Sequence, residues 1–352
     1  AKSREADARL NAANLSDEQK FIIASATRSY LFSTQLLERE GQPLWAVNEG
    51  EYNMINTLDL VPDHSLYEMH QHPWTIRSVL DLFAERYVYE DEVSPLEEPG
   101  RRVKAISFPH DMGASGVFSK PHHSAYERPE LTGCFSYMTM EELLNWVLTA
   151  GLYFGATDDK AWVGGKASLL AECLESLEVR DHPDEARRIG LMRLDSSRCQ
   201  GGREITTYDC LDHSLGQASG NTYLASKTWA AGLVLERMFL ALGEAALAAR
   251  AGKIARRCAD TVVSVTHEDG RIPALVDGGT DAVLTTVVEG LAYAWFGGVR
   301  EAFDPAGPFA AYLEVLGRHF TRHALRPDTC IAQDGSWRIT SSNANTFPAK
   351  IY

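Results

Sequence analysis

Residues 45–59 concentrate carboxylates, amides and aromatic rings in one short segment, WAVNEGEYNMINTLD. Sugar sites need this mixture, because carboxylates and amides hydrogen-bond hydroxyl groups while aromatic faces stack on the ring. One carboxylate, Glu49 or Glu51, could also stabilise or trap an oxocarbenium-like transition state. The alternative interpretation is an acidic surface loop with no catalytic role.

A second segment with possible acid–base chemistry is TTYDCLDHSLGQ, residues 206–217. Asp209 follows a tyrosine and has apolar neighbours, and a carboxyl group that is screened from water can have a raised pKa and act as a general acid. The segment also precedes a helix that we expect to start near Asn221. Asp212 or Ser219 could therefore simply cap that helix.

Helix signals dominate the elements that would position these two segments. The sequence Ser16-Asp-Glu-Gln19 is a capping box, which predicts a helix to about Glu38. The same reasoning predicts helices beginning near Thr139, Thr157, Asn221, Asp281 and Pro308, with Gly243 or Gly252 dividing the long run after Asn221. Strand patterns are sparse, so we predict an all-α fold of nine or ten helices whose long loops build the functional face.

Composition excludes several classes of protein. The chain has 352 residues, 45% of them hydrophobic, and a net charge of −14, which argues against nucleic-acid binding. Six widely spaced cysteines form no C-x-x-C pair, so we interpret them as reduced core thiols and expect a cytoplasmic location. No run of apolar residues is long enough for a membrane span. One large domain is the preferred organisation.

Four ordered motifs carry a resemblance to a known family. The runs NEGEYNMINTLDL and HPWTIRSVLDLFAERYVYEDEV resemble the segment around the nucleophile of glycoside hydrolase family 52 β-xylosidases. The run TTYDCLDHSLGQASGNTYLASKTWAA resembles their acid/base segment, and the likeness continues through SFPHDMG and DGSWRITSSNANT. The related family 116 β-glucosidases share a weaker version of the pattern.

This resemblance implies roles for individual residues. It favours Glu49 over Glu51 as the nucleophile and Asp209 over Asp212 as the acid/base, although both alternatives stay open. The residues that it implies for substrate binding are Asp59, His110, Asp111, Tyr52, Trp337 and Arg338, and Glu289 is a weaker candidate for the interior. The implied activity is that of a retaining β-xylosidase, which removes xylose from the non-reducing ends of β-1,4-xylo-oligosaccharides and aryl β-xylosides through a covalent intermediate.

No metal or organic cofactor is expected, because retaining glycosidase chemistry needs none and the His70-x-His72 spacing is unsuited to two ligands on one helical face. The resemblance also implies an (α/α)₆ barrel preceded by a β-sandwich, and a homodimer. The helices fall short of the twelve in such a barrel, so we expect a catalytic domain over residues 1–352 that lacks the upstream sandwich and a C-terminal helix. The alternatives are a family 116-like β-glucosidase and an inactive carbohydrate-binding helical module.

Overall fold

A computed structural model describes most of the chain, namely residues 2–50, 53–95, 97–98, 100–127, 138–199, 204–207 and 218–342. Its α-helices are α1 (Lys2–Ala12), α2 (Asp17–Phe32), α3 (Val61–Gln71), α4 (Trp74–Leu82), α5 (Thr139–Thr157), α6 (Lys160–Gly165), α7 (Ala167–Asp181), α8 (Thr222–Leu242), α9 (Ala245–Val265), α10 (Glu289–Phe296) and α11 (Ala310–His319). The described ranges thus contain eleven α-helices, one or two more than predicted.

Short strands also occur, all in the first third of the chain. They are β1 (Thr34–Arg39), β2 (Gln42–Glu49), β3 (Met54–Ile55), β4 (Tyr89–Val93), β5 (Val103–Ser107), β6 (Gly113–Ala114) and β7 (Val117–Phe118). The strands form a five-stranded sheet in the order β1-β2-β3-β6-β7 and a separate β4-β5 pair. The prediction of a helical protein is confirmed in its main part, but the all-α class is corrected to a mainly helical fold with small sheets.

The capping box at Ser16 is confirmed, and the helix that it starts is shorter than predicted. The Ser16 hydroxyl accepts a hydrogen bond from the Gln19 backbone N–H, and the Gln19 side chain accepts one from the Ser16 N–H. The helix ends at Phe32 rather than near Glu38. Residues 34–39 form strand β1 instead, because they pair antiparallel with β2.

The turn between these two strands explains why the helix cannot continue. Glu40 and Gly41 both have positive φ, 54° and 77°. A two-residue hairpin loop needs this left-handed backbone, which glycine adopts easily. The β1–β2 hairpin therefore carries the chain directly to Glu49, the last residue of β2.

Helix α5 lies at the centre of the helical core. Its residues from Thr139 to Phe154 are all buried, and it packs against α3, α4, α8 and α10. Helices α8 and α9 form the predicted pair, divided at Gly243, whose φ of 80° ends α8 in the left-handed conformation. A helix that is buried on every side leaves its few polar side chains facing other buried groups.

The thiols and the helix lengths bear on two further predictions. Cys173, Cys199, Cys258 and Cys330 are buried and free, consistent with reduced core thiols. Within the described ranges, every helix is too short or too polar to cross a bilayer.

Candidate active site

Glu49 stands where the sheet meets the helical core. Its carboxylate accepts a 2.6 Å hydrogen bond from the Thr57 hydroxyl. The loop between them is fixed by Asn56, whose side-chain oxygen accepts from the Val47 N–H at 2.8 Å and whose amide donates to the Trp45 carbonyl. This side-chain pairing folds the loop back along β2, so the loop continues at a defined position into Asp59.

A small cavity of about 270 Å³ opens beside Glu49. Its lining includes Tyr30, Asn48, Thr57 and His64, so a carboxylate, an amide, hydroxyls and an imidazole face the same space. The volume lies just below the range of ~300–1,000 Å³ that is usual for small-molecule sites. The chemistry of this lining suits a small polyhydroxylated ligand.

Asp59, His110 and Asp111 come together as the motifs predict. His110 Nδ1 lies 3.0 Å from Asp111 Oδ2, and His110 Nε2 lies 3.8 Å from Asp59 Oδ1. The other Asp111 oxygen accepts the backbone N–H groups of Gly113 and Ala125, at 2.8 and 2.9 Å. Asp111 therefore fixes the orientation of the imidazole ring.

The ionisation of His110 follows from these neighbours. Burial alone lowers the pKa of His110, but the hydrogen bond to Asp111 and the charges of Asp59 and Asp111 outweigh it, so the pKa rises to about 9. The ring is therefore an imidazolium at neutral pH. A buried cation that also donates hydrogen bonds suits the recognition of hydroxyl oxygens.

Thr207 connects this group to the segment that leads to Asp209. Its hydroxyl lies 3.0 Å from Asp59 Oδ2 and 2.7 Å from Glu141 Oε1, and its backbone N–H donates to Glu141 Oε2 at 2.7 Å. Thr207 is thus hydrogen-bonded to both the Glu49 loop, through Asp59, and helix α5. Thr207 belongs to the motif TTYDCLDHSLGQ, which by itself predicts no role for it.

Glu141 is the centre of a buried charged network. It also accepts from the Tyr223 hydroxyl at 2.5 Å and from Lys227 Nζ at 3.0 Å. Lys227 in turn contacts Asn145 at 2.9 Å and Glu289 at 3.5 Å. The weaker candidate Glu289 therefore lies in this network, at the start of α10 rather than in the middle of a helix.

A further pair of charges attaches residues 204–207 to the start of α5. Glu204 accepts hydrogen bonds from the Thr139 hydroxyl and from the backbone N–H groups of Met140 and Ser196. Arg180 lies 3.5 Å from Glu204 and is itself fully buried. The predicted cap at Thr139 is wrong, because this hydroxyl bonds Glu204 and the cap residue is Met138, which makes no side-chain cap bond.

Glu142 contacts a different set of groups from its neighbour Glu141. One of its oxygens accepts from the Asn145 amide at 3.0 Å. One ring nitrogen of His110 and one carboxylate oxygen each of Asp59 and Glu142 lie within 4.8 Å of one another, which makes these three residues a possible cation-binding group. Burial and then the charge of Asp59 raise the pKa of Glu142 well above its ordinary value.

Trp337 and Arg338 lie in a hairpin that pairs with the segment before α10. The Trp337 ring is 5.8 Å from that of Phe320, and the Arg338 N–H donates to the Cys330 carbonyl at 2.7 Å. The next residue, Ile339, accepts hydrogen bonds from Thr285, four residues before Glu289. The hairpin is thus tied to the segment that carries Glu289, whereas Trp337 contacts Phe320 and Arg338 bonds Cys330.

Four predicted residues lie outside the described ranges: Tyr52, the acid/base candidate Asp209, and the alternatives Glu51 and Asp212. The residues that sequence reasoning missed are Glu141, Glu142, Thr207, Lys227 and Glu204. One signal could have identified the first two and Lys227, because charged residues are almost never fully buried unless they are paired. Glu141 and Glu142 interrupt the apolar run of α5, and Lys227 interrupts that of α8.

Comparison with known proteins agrees with the motifs. Residues 1–153 match the sequence profile of Glycosyl hydrolase family 52. A β-xylosidase of Geobacillus stearothermophilus is 49% identical over 338 residues, which is 96% of this chain and 48% of the relative. Another β-xylosidase from the same organism is 44% identical over 262 residues, covering 74% of this chain and 42% of the relative.

A solved structure shares the fold at low sequence identity. The crystal structure of a sugar epimerase from a ruminal bacterium superposes with a TM-score of 0.51 and 11% identity, over 96% of this chain and 77% of that one. This similarity concerns the fold alone.

By its sequence, the chain is related to the glycoside hydrolases. Within that class it is similar to family 52, the family that its motifs resemble. It spans about half the length of the curated relatives that it matches.

Proposed function

We propose that this chain carries the glycone-binding and catalytic groups of a retaining β-xylosidase. Glu49 attacks the anomeric carbon, and Asp209 first protonates the departing oxygen and then deprotonates the water that releases xylose. The main supporting observation is the hydrogen bond from Thr207 to Asp59. It links the loop that begins at Glu49 to the stretch that leads, two residues later, to Asp209.

The proposed ground-state contacts follow from the same residues. Asp59, His110 and, by orienting His110, Asp111 hold hydroxyl groups of the glycone, with the imidazolium as donor and Asp59 as acceptor. Thr57 keeps the Glu49 carboxylate in one orientation, which favours attack along a single direction. Tyr52, Trp337 and Arg338 remain proposed contributors to the sugar pocket on the basis of the family motifs.

The proposed architecture is part of an (α/α)₆ barrel. Support comes from the packed helices α5, α8, α9 and α10. The homodimer, the additional β-sandwich domain and the cytoplasmic location remain predictions from family resemblance and composition.

The test uses full-length protein with Glu49→Ala and an aryl β-xyloside in the presence of azide. If Glu49 is the nucleophile, the variant loses nearly all activity in buffer and forms the inverted, α-linked xylosyl azide when azide is added. For the companion variant Asp209→Ala, kcat/KM should suffer least on substrates with good leaving groups, because their first step needs little protonation.

The matched controls are Glu51→Ala and Asp212→Ala, which remove the neighbouring acid in each motif. Near-normal rates without azide products are expected for both. Wild-type rates in Glu49→Ala, or azide rescue in Glu51→Ala instead, would refute the assignment of the nucleophile. A wild-type protein that hydrolyses aryl β-glucosides faster than aryl β-xylosides would refute the proposed substrate.

A further inference from the structure

One oxygen of the buried Glu142 carboxyl group has no hydrogen-bond partner. The residue is 1% exposed, and Oε2 accepts from Asn145 while Oε1 has no hydrogen bond. Its neighbour Glu141 accepts from Thr207, Tyr223 and Lys227. Leaving a buried acceptor without a partner is costly, so such an atom points to a group that is supplied by a ligand.

The surroundings of Glu142 indicate which kind of ligand fits. Donor atoms of Asp59, His110 and Glu142 lie within 4.8 Å of one another. A point at the centre of such a triangle is at most about 2.8 Å from each corner, which is the usual length of an O–H···O hydrogen bond. A metal ligand must be a neutral imidazole, whereas the hydrogen bond to Asp111 and the charges of Asp59 and Asp111 raise the pKa of His110 to about 9. The group therefore fits a hydroxyl oxygen, which can accept a hydrogen bond from the imidazolium, better than it fits a cation.

We propose that Glu142 is a further glycone-binding residue, which joins Asp59 and His110 in holding one hydroxyl group of the xylose ring. This inference rests on the proposed function, and it assigns a role to a residue outside the family motifs. A sugar hydroxyl has one proton to donate and two lone pairs to accept with, so it can bond all three groups at once.

The protons of this arrangement balance. His110 donates from Nε2 to the hydroxyl oxygen, and the hydroxyl donates its own proton to the Asp59 carboxylate. Glu142, in its acid form, donates to the second lone pair. The high pKa values of His110 and Glu142 agree with these protonation states. Asn145 holds the other Glu142 oxygen and is itself held by Lys227, so the carboxyl group has a fixed orientation.

The test compares Glu142→Ala with wild type on 4-nitrophenyl β-xyloside and on its 2-, 3- and 4-deoxy analogues. Glu142→Ala should lower kcat/KM on the parent substrate by at least tenfold. On the one analogue that lacks the bound hydroxyl, the variant and the wild type should differ by less than about twofold, because no bond remains to be lost. Glu142→Gln, whose amide can still donate, should recover much of the parent activity.

Glu178→Ala is the matched control. It removes another buried carboxylate, which pairs with Arg188 and Arg250, and it should lower the melting temperature without discriminating among the four substrates. An equal loss in Glu142→Ala on every analogue would overturn the proposal, as would unchanged kcat/KM on the parent.

Two outcomes separate this proposal from other possibilities. If EDTA abolished wild-type activity, and Zn²⁺ restored it in the wild type but not in Glu142→Gln, the group would be a cation site and the proposal would be overturned. If the wild type hydrolysed no aryl β-xyloside, the proposed function itself would fail. That result is distinct from an active wild type in which Glu142 has no substrate-dependent effect.

Discussion

Lys227 carries a positive charge of the buried network around Glu141. The ammonium group is fully buried between the carboxylates of Glu141 and Glu289. Such a group is stable only because it is paired, since an isolated charge in the interior loses its hydration without compensation. The network therefore depends on all of its members together.

Replacing Lys227 with Met should lower the free energy of unfolding by about 3–5 kcal/mol, because two buried carboxylates lose their shared cation. Urea unfolding would measure this change in the free energy of unfolding. Adding Glu289→Gln to the same variant should restore part of the loss, since it removes one of the uncompensated charges. Lys253→Met, which removes an exposed lysine paired with Glu185, should change stability by less than about 0.5 kcal/mol. Equal effects of the two lysine variants would contradict this account.

The sequence motifs include some residues of the candidate site and omit others, for a physical reason. Motifs identified Glu49, Asp59, His110 and Asp111, which share one or two chain segments. Glu141 lies in the first turn of the helix predicted near Thr139, where a glutamate is favourable whichever way its side chain points. Its actual partners, Thr207 and Lys227, are 66 and 86 positions away, and local patterns carry no information on such pairings.

The helices reach these contacts only where small residues let their backbones approach. Gly290, beside Glu289 in α10, lies against α8 so closely that a Cβ atom would be 1.9 Å from the Ser226 carbonyl oxygen. No side chain can be accommodated at that distance. Helix α10 therefore holds Glu289 near Lys227 through a contact that a single methyl group would break.

Gly290→Ala should destabilise the protein by about 1–3 kcal/mol through this overlap, and it should reduce activity by moving Glu289. The matched control is Gly317→Ala in α11, where a Cβ atom meets nothing within 4 Å. There the substitution should stabilise the helix by about 0.5–1 kcal/mol, because alanine loses less backbone entropy than glycine. The measurement is the melting temperature of each variant relative to the wild type. Equal changes in melting temperature for Gly290→Ala and Gly317→Ala would refute the packing argument.

Helix boundaries that depend on local signals were more predictable than boundaries that depend on contacts between distant segments. The cap at Ser16 and the division at Gly243 follow from local hydrogen bonding and backbone freedom, which the sequence specifies directly. The end of α2 at Phe32 depends on the pairing of β1 with β2, a contact between segments. The small sheets were missed for the same reason, since most of their strands are two to six residues long and their pairing is not local.

Two regions of the molecule contribute residues to the candidate site. The N-terminal strands and their loops carry Glu49, Asp59 and His110, and the helical core of α5, α8 and α10 supplies the charged groups beneath them. Residues 204–207 cross between the two regions. The proposed catalysis would need a stable core, so conditions that protonate core residues should affect both stability and activity.

His319 gives the final prediction, because it joins three distant segments in that core. Its Nδ1 accepts from the Ile272 N–H, and its Nε2 donates to the Leu284 carbonyl. Burial lowers the pKa of His319 to about 4, so the folded protein requires the neutral ring. The His319 ring of the unfolded chain takes up a proton below about pH 6.5. The contribution of His319 to the free energy of unfolding is therefore complete above pH 6.5 and is lost as the pH falls towards 4.

Between pH 7.5 and 4.5, the wild type should therefore lose about 2–3 kcal/mol of unfolding free energy through His319 alone. His319→Asn should be less stable at pH 7.5, but the difference between it and the wild type should narrow by that amount at pH 4.5. Urea unfolding followed by tryptophan fluorescence would measure both, at low concentration because the pI is about 5.3. His70→Gln, which replaces an exposed histidine of α3, is the control, and its unfolding free energy should change with pH as that of the wild type does. A constant difference between His319→Asn and wild type across this range would show that His319 does not couple the fold to pH.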